Sequence, residues 1–313
     1  MDKKLISIVT PCLNEEANVD KIYTAVKTLF SKKEHYSYEH IFIDNKSNDK
    51  TRELLREIAK KDKNVKLIFN TRNFGQWASP YWALQQSKGE AAILIVADLQ
   101  DPPNLIEDFL RFWEEGYKTV IGIKKGSEGS KLSFFIRKVF YKLVNKFSDI
   151  DLYEGFMGFG LYDRKVIEIF KQFNTPEPYL RGIVADISLK VKKVHYTHEV
   201  RKSGKTKNDL YTLLDLASTA FTSYTKTPLR IISIFAFIFS IISFSIGIFY
   251  TMYKIIFWDN FTTGVAPIII LISVFFSCIF IFLGILAEYI GSINIKFRKA
   301  PIVIEEERIN FEK

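Results

Sequence analysis

The segment of residues 98–103, which reads Asp-Leu-Gln-Asp-Pro-Pro, carries side chains suited to binding a metal ion. It follows an apolar stretch typical of a buried strand, and in an extended chain Asp98 and Gln100 point to the same side. A hard divalent cation such as Mg²⁺ or Mn²⁺ takes oxygen ligands, and each of these side chains offers one. We therefore predict a metal site at Asp98 and Gln100. The alternative is that Asp98 and Asp101 only cap the helix that the prolines begin.

Three more polar clusters follow predicted strands in the same way. In the cluster of residues 44–51, Asp44 could accept hydrogen bonds from a nucleobase or a ribose. Asp49 in the same cluster could equally well cap the next helix. In the cluster of residues 70–76, Arg72 could bind a phosphate, and Gly75 would allow the backbone to approach a ligand closely. The clusters occupy residues 11–16, 44–51 and 70–76.

The elements that must position these clusters alternate between strands and amphipathic helices. Apolar residues recur with helical spacing after the first predicted strand, as Ile22, Val26 and Leu29 do. This alternation predicts an α/β domain with a mainly parallel sheet over residues 1–208. Ligands of such sheets bind beyond the carboxyl ends of the strands, where all four clusters stand. The predicted strands are residues 5–10, 40–44, 65–69, 91–97 and 119–123.

Two apolar runs near the C-terminus predict a membrane anchor. Residues 231–253 and 265–287 each contain 23 residues without a charge, enough for a helix to cross ~30 Å of hydrocarbon. Basic residues flank the pair, so the positive-inside bias places both ends in the cytosol. We predict a transmembrane hairpin over residues 229–290, a cytosolic tail over residues 291–313, and a multi-pass protein of the inner (cytoplasmic) membrane whose catalytic domain and both termini are cytosolic. Buried core helices are the alternative.

Basic and aromatic residues interleave at residues 131–147, and residues 209–228 form a predicted juxtamembrane segment. Both favour interfacial helices, with ordinary helices packed on the sheet as the alternative. The net charge of +9 suits anionic lipid, nucleic acid and phosphorylated substrates alike. Because a tethered domain meets lipid phosphate first, we predict a membrane partner and no nucleic acid. A homo-oligomer is compatible with the sequence.

In their order and spacing, these motifs resemble the family 2 glycosyltransferases of GT-A fold. The resemblance is to the branch of dolichyl-phosphate-mannose-synthase-like enzymes and bactoprenol glucosyltransferases, and it covers nearly the whole chain. Besides residues 98–103, it rests on Arg72-Asn73-Phe74-Gly75, Gly160-Leu161-Tyr162-Asp163-Arg164, Leu180-Arg181-Gly182, and the apolar hairpin that ends near Glu288-Tyr289.

The resemblance implies a role for each candidate residue. The nucleotide-sugar would be bound by Pro11, Asn14, Glu15, Asp44, Arg72, Asn73, Gly75, Gln76 and Asp98. Mg²⁺ or Mn²⁺ would be held by Asp98 and Gln100. The acceptor phosphate would be bound by Arg181, Arg201, Lys205 and Lys207. Catalysis would depend on Asp98, Arg201 and Lys207, with Glu154 and Asp151 as further candidates.

Two departures from the family pattern affect the predicted chemistry. Val96 stands where the branch usually has an aspartate, which removes one potential metal ligand. Gly158 stands where the branch often has an acid. Asp151 and Glu154 lie just upstream and could replace that acid.

The function implied by the resemblance is inverting transfer of one sugar to polyprenyl (undecaprenyl) phosphate, for modification of cell-envelope glycans. The donor would be a nucleotide-diphosphate-sugar, with uridine as the favoured nucleoside. A phosphate acceptor needs no general base, because its second pKa near ~6 leaves it mostly ionised at neutral pH. Two alternatives stay open: transfer to a hydroxyl of a lipid-linked glycan, with Glu154 or Asp151 as the base, and an inactive scaffold that binds nucleotide-sugar.

Overall fold

The computed structural model describes residues 3–125, 152–173, 178–187, 189–197, 265–297 and 301–311, with part of the residues between 234 and 257. The predicted interfacial segments 131–147 and 209–228 lie outside these residues. The same holds for four candidate site residues, Asp151, Arg201, Lys205 and Lys207.

One eight-stranded mixed sheet forms the centre of the structure, in the order β7-β5-β6-β4-β1-β2-β3-β8. The four neighbours β4, β1, β2 and β3 run parallel, so their carboxyl ends meet at one edge of the sheet. Strands β6 and β8 run antiparallel to their neighbours. The predicted α/β domain with a mainly parallel sheet is confirmed. The strands are β1 (Lys4–Cys12), β2 (Tyr36–Asp44), β3 (Val65–Asn70), β4 (Ala91–Leu94), β5 (Thr119–Lys125), β6 (Phe156–Asp163), β7 (Val191–Thr197) and β8 (Glu305–Ile309).

Helices pack on both faces of this sheet. Successive side chains of a strand point to opposite faces, so Ile8 packs in one apolar cluster with helices α1, α2 and α4, while its neighbour Val9 packs in the other with α3, α5 and α6. The residues Ile22, Val26 and Leu29 form the buried face of α1, as their spacing predicts. The helices are α1 (Val19–Ser31), α2 (Thr51–Lys61), α3 (Gly75–Gln86), α4 (Leu105–Glu114), α5 (Arg164–Gln172), α6 (Leu180–Ile187) and α7 (Val265–Phe297).

All five predicted strands are present, with small differences at their ends. Strand β4 ends at Leu94 instead of residue 97, because the chain turns from there into the Asp98 motif. Three further strands lie outside those five predicted ranges, namely β6, β7 and β8.

The C-terminal residues join the sheet that the N-terminal domain builds. Strand β8 pairs antiparallel with β3, and the Ile304 carbonyl accepts a 3.0 Å hydrogen bond from the Thr71 backbone N–H. Ile302 and Val303 are buried in the core. The sequence predicts a cytosolic tail over residues 291–313, but residues 305–309 of that tail are the outermost strand of the sheet.

The second predicted transmembrane segment, residues 265–287, lies within helix α7. Across the part of the chain that the structure describes, no helix meets the length and apolarity needed to cross a membrane.

Candidate active site

The loops that follow β1 and β2 are joined by hydrogen bonds at the carboxyl edge of the sheet. The Asn14 backbone N–H donates to Ser47 Oγ at 2.8 Å, and the Glu15 N–H donates to Thr51 Oγ1 at 2.8 Å. In return, Asn14 Oδ1 accepts from the Asn48 N–H at 2.8 Å. Two clusters that are more than 30 positions apart in the sequence therefore form one rigid rim around the end of β1, where Pro11 is half-buried.

Asn45 fixes the third loop to the same edge. Its buried side-chain Nδ2 donates to Asn73 Oδ1 at 2.7 Å and to the Gly75 carbonyl at 3.0 Å. Its Oδ1 accepts from the Phe74 N–H at 2.9 Å and from Asn70 Nδ2 at 3.1 Å. Sequence reasoning missed this residue, although its place directly after a strand, inside a polar cluster, was a usable signal.

The turn at residues 72–76 is exposed and is shaped by Gly75. This glycine has φ of +88°, a left-handed conformation that side-chain-bearing residues rarely adopt. The Arg72 guanidinium lies over the Phe74 ring at 3.9 Å from its centroid, and Gln76 is exposed at the start of α3. Arg72, which the sequence predicts to face a phosphate, therefore lies in the exposed turn after β3 with its guanidinium against Phe74.

Asp44 is fully buried at the end of β2. Its Oδ1 accepts from the Ser47 N–H at 3.1 Å and lies 3.1 Å from Arg52 Nε. Burial raises the pKa of this carboxyl above its usual value, while the Ser47 hydrogen bonds and the Arg52 charge act in the opposite direction. Arg52 and Ser47 therefore surround the Asp44 carboxylate at the carboxyl end of β2.

Asp98 and Gln100 lie half-buried beyond the end of β4. The Gln100 N–H donates to Asp98 Oδ1 at 3.2 Å, and Leu99 between them has φ of +58°. Helix α4 has Asn104 as its N-cap residue, so neither Asp98 nor Asp101 occupies that position. Asp98 and Gln100 therefore remain candidates for metal binding.

The donor set at this motif suits one kind of metal site. Among the described residues, no group of three or more His, Cys, Asp or Glu side chains could hold a metal ion. One carboxylate and one amide fit a hard cation such as Mg²⁺, which usually keeps waters and takes substrate phosphate oxygens as further ligands. Asp98 and Gln100 would hold such a cation, and this assignment stays a prediction.

Asp101 ties this motif to β7. The Tyr196 hydroxyl donates to its buried carboxylate at 2.5 Å. Burial and the nearby Asp98 raise the pKa of Asp101 to about 6, against the opposing effects of Tyr196 and Lys124. Strand β7 ends one residue after Tyr196, at Thr197, so its carboxyl end lies beside the Asp98 motif.

On the other side of the motif, Arg181 at the start of α6 lies against Trp77, 5.0 Å from the ring centroid. Its Nη2 lies 2.6 Å from Met157 Sδ. Gly158 has φ of +104°, and a Cβ placed there would lie 3.4 Å from a Leu94 methyl group and 3.8 Å from the Trp77 ring. A side chain at position 158 would thus be strained.

Glu154 is exposed in the turn before β6. Because β6 runs antiparallel to β4, this turn is at the same edge of the sheet as Asp98. The four polar clusters and Glu154 therefore lie at one edge of the sheet, and the sequence predicted this place for the four clusters only.

The sequence of this chain matches a known protein family. The family model described as glycosyl transferase family 2 matches residues 7–170, more than half of the sequence. The chain belongs to glycosyl transferase family 2. This confirms the resemblance seen in the sequence, and the family 2 region contains Asp44, Asp98 and Glu154, whereas Arg181 lies beyond it.

Relatives of this family 2 protein match nearly its full length. The chain is 31% identical to the uncharacterized glycosyltransferase YkcC of Bacillus subtilis (strain 168), over 98% of this chain and 94% of that protein. It is 31% identical to the prophage bactoprenol glucosyl transferase homolog of Escherichia coli (strain K12), over 95% of this chain and 96% of that protein. Among solved structures, glucosyl-3-phosphoglycerate synthase from Mycobacterium tuberculosis is similar with a TM-score of 0.47 and 18% identity, covering 70% of this chain and 78% of that one.

Proposed function

We propose that this chain is a membrane-bound inverting glycosyltransferase that transfers a single sugar from a UDP-sugar to polyprenyl phosphate, such as undecaprenyl phosphate. The observation that carries the proposal is the single polar edge formed by the loops after β1 to β4, with Asp98 and Gln100 in the loop that follows β4. The near-full-length similarity to a bactoprenol glucosyl transferase homolog supports a lipid-phosphate acceptor.

On the donor side, the rim around Asn14 and Glu15 and the turn around Gly75 would bind the nucleoside and the diphosphate. Asp98 and Gln100 would hold Mg²⁺ or Mn²⁺, which stabilises the charge of a departing nucleoside diphosphate. Direct displacement by the acceptor would invert the anomeric carbon. The half-buried setting of Asp98 strengthens its electrostatic effect relative to that of a fully solvated carboxylate.

On the acceptor side, Gly158 supports a nucleophile that needs no base. A lipid phosphate arrives already ionised, so the protein mainly has to offset the repulsion between two phosphate groups. Arg181 is the described cation on this side, and Arg201, Lys205 and Lys207 remain predictions for the same task.

The membrane assignment rests on the sequence and on exposed apolar side chains. The uncharged runs 231–253 and 265–287 would form the transmembrane hairpin within residues 229–290. Ile268, Phe276 and Ile281 of α7 are each more than half exposed, as expected of side chains that face lipid. The domain of residues 1–208, of GT-A type, and the segment 209–228 would then lie at the cytosolic surface.

A second function is favoured by one observation, the exposed Glu154 at the same edge as Asp98. Glu154 could act as a general base for a hydroxyl of a lipid-linked glycan. This reaction differs from the first in the acceptor, which makes it separable by experiment.

The test uses the full chain purified in detergent. It is incubated with Mn²⁺ and a panel of UDP- and GDP-sugars, in parallel with undecaprenyl phosphate, undecaprenol and a lipid-linked disaccharide, and products are identified by mass. We expect one UDP-sugar to add a single hexose mass to undecaprenyl phosphate only, and removal of the cation with a chelator to stop the reaction. Transfer to the disaccharide alone would favour the Glu154 reaction, and nucleotide binding without transfer would favour a scaffold.

A further inference from the structure

Charged side chains connect the C-terminal strand to the buried Asp44. Glu306 of β8 lies 2.9 Å from Lys46 Nζ and 2.9 Å from Arg52 Nη2. Arg52 Nε in turn lies 3.1 Å from Asp44 Oδ1. Glu306 is 254 positions from Arg52 in the sequence, so only the pairing of β8 with β3 brings the tail to this edge of the sheet.

The orientation of Arg52 depends on Glu306. The contact between Arg52 Nε and Asp44 is an ion pair without hydrogen-bond alignment, because this buried nitrogen has no acceptor among the described residues. The aligned hydrogen bond of the guanidinium goes from Nη2 to Glu306 at 2.9 Å. The Phe69 ring supports the guanidinium from one face, 4.7 Å from the ring centroid to the guanidinium carbon. Glu306 and Phe69 together therefore set the direction in which Arg52 points at Asp44.

We infer that Glu306 is a positioning residue of the nucleotide site, which holds the Arg52 guanidinium beside Asp44 and so sets the affinity for the donor. The inference rests on the proposed function, in which Asp44 belongs to the nucleotide site. A fixed guanidinium beside this carboxylate offsets negative charge where an anionic donor must approach. Without Glu306, Arg52 would be free to turn fully onto Asp44 or away from it.

The same strand supplies a matched control. Glu307 pairs with Arg56 at 2.6 Å, and Arg56 also lies against the Phe69 ring, at 4.5 Å from its centroid. Arg56 is one helical turn beyond Arg52 on α2 and further from Asp44 along the chain. The two glutamates thus make similar ion pairs with the same helix, and only Glu306 reaches the Arg52 that lies beside Asp44.

The experiment measures UDP affinity of the full detergent-purified chain by calorimetry in the presence of Mn²⁺. We expect Glu306→Gln to weaken UDP binding about three- to fivefold, the size expected from a partly exposed ion pair, and Glu306→Asp to recover most of the loss. Glu307→Gln should leave the affinity within about 1.5-fold of the parent, and the two Gln variants should lower the melting temperature equally.

A second comparison separates positioning from a general effect on the strand. In an Arg52→Gln background, Glu306→Gln should have no further effect on UDP affinity, because its action passes through Arg52. An equal loss in Glu306→Gln and Glu307→Gln, no loss in Glu306→Gln, or an effect of Glu306→Gln that persists without Arg52 would each overturn the inference. If Asp44→Asn binds UDP as the parent does, the assignment of Asp44 to the nucleotide site fails, whatever the Glu306 result.

Discussion

Strand β2 carries two buried carboxylates with opposite surroundings. Near its middle, Glu39 accepts from Ser7 Oγ at 2.5 Å, from Lys66 Nζ at 2.5 Å and from the Lys88 N–H at 2.7 Å. At its carboxyl end, Asp44 has as partners the N–H of a loop residue and an arginine that is itself held by the C-terminal strand. Both side chains are buried, and both meet a cation.

The difference lies in what would have to move for a ligand to enter. Ser7 and Lys66 belong to the strands on either side of Glu39, so its partners cannot leave without opening the sheet. Ser47 and Arg52 stand on a loop and at the start of a helix, so Asp44 can change partners locally. Burial of a charge in the middle of a sheet thus indicates a role in stability, whereas burial at the carboxyl edge is compatible with binding.

The largest effect on activity is expected at the carboxyl edge of the sheet. Replacing Asp98 with alanine should lower kcat/KM for sugar transfer by about 10³-fold, because the site loses its one charged metal ligand from the motif. The free energy of unfolding should change by less than about 0.5 kcal/mol, because the half-buried Asp98 lies in a loop outside the strands and helices. Transfer assays and denaturant titration measure the two quantities. Asp108→Ala, on the helix that follows, is the matched control, and near-parental turnover of Asp98→Ala would remove Asp98 from the site.

In the interior of the sheet we expect the opposite result, a large loss of stability with little change in nucleotide binding. Replacing Glu39 with glutamine leaves the half-buried Lys66 without its counter-charge inside the sheet, which should lower the free energy of unfolding by about 3 kcal/mol. UDP affinity should stay within about twofold of the parent, since Glu39 lies away from the edge. Urea titration and calorimetry test both statements, with the exposed Glu57→Gln as control. A loss of UDP affinity comparable to the loss of stability would break the distinction between interior and edge.

A smaller effect is expected from the buried His40, which makes the free energy of unfolding depend on pH. His40 is fully buried beside Thr10, and burial lowers its pKa to about 3, so the folded protein keeps it neutral. The unfolded chain binds this proton near pH 6.5, so His40 contributes stability at high pH that is lost as pH falls from about 6.5 toward 3. Between pH 7.5 and 6.0 the parent should lose about 0.8 kcal/mol more than a His40→Leu variant does. Asp101, whose raised pKa favours protonation of the folded state, acts in the opposite direction in both proteins and cancels in this difference. Equal pH slopes would show that His40 is charged or solvated in the fold.

Much of the carboxyl edge of the sheet could be predicted from the sequence, because short stretches of neighbouring residues determine it. The apolar runs fixed the positions of β1 to β5, and the polar clusters at their ends identified the loops of Glu15, Asp44, Gly75 and Asp98. What could not be predicted depends on contacts between distant segments. Asn45 and Glu39 function through partners that only the register of neighbouring strands supplies.

Strand β8 shows the limit most clearly. Its sequence, Glu-Glu-Glu-Arg-Ile, is poor in residues that favour strands, so it predicted a solvated tail. The segment is extended because Ile302 and Val303 anchor it in the core and because β3 offers an unpaired edge. An edge strand tolerates charged side chains that a central strand would not.

The pairing of β8 with β3 also determines when the protein can finish folding during its synthesis. Thr71 and Ile304, which are joined by hydrogen bonds, are 233 residues apart. At roughly 5–20 residues per second, the outer edge of β3 waits on the ribosome for on the order of ten seconds or more before its partner is made. During that interval the edge is a template on which other nascent chains could pair. Since the apolar helix α7 is translated before β8, the outer edge of β3 is covered only after that helix has left the ribosome.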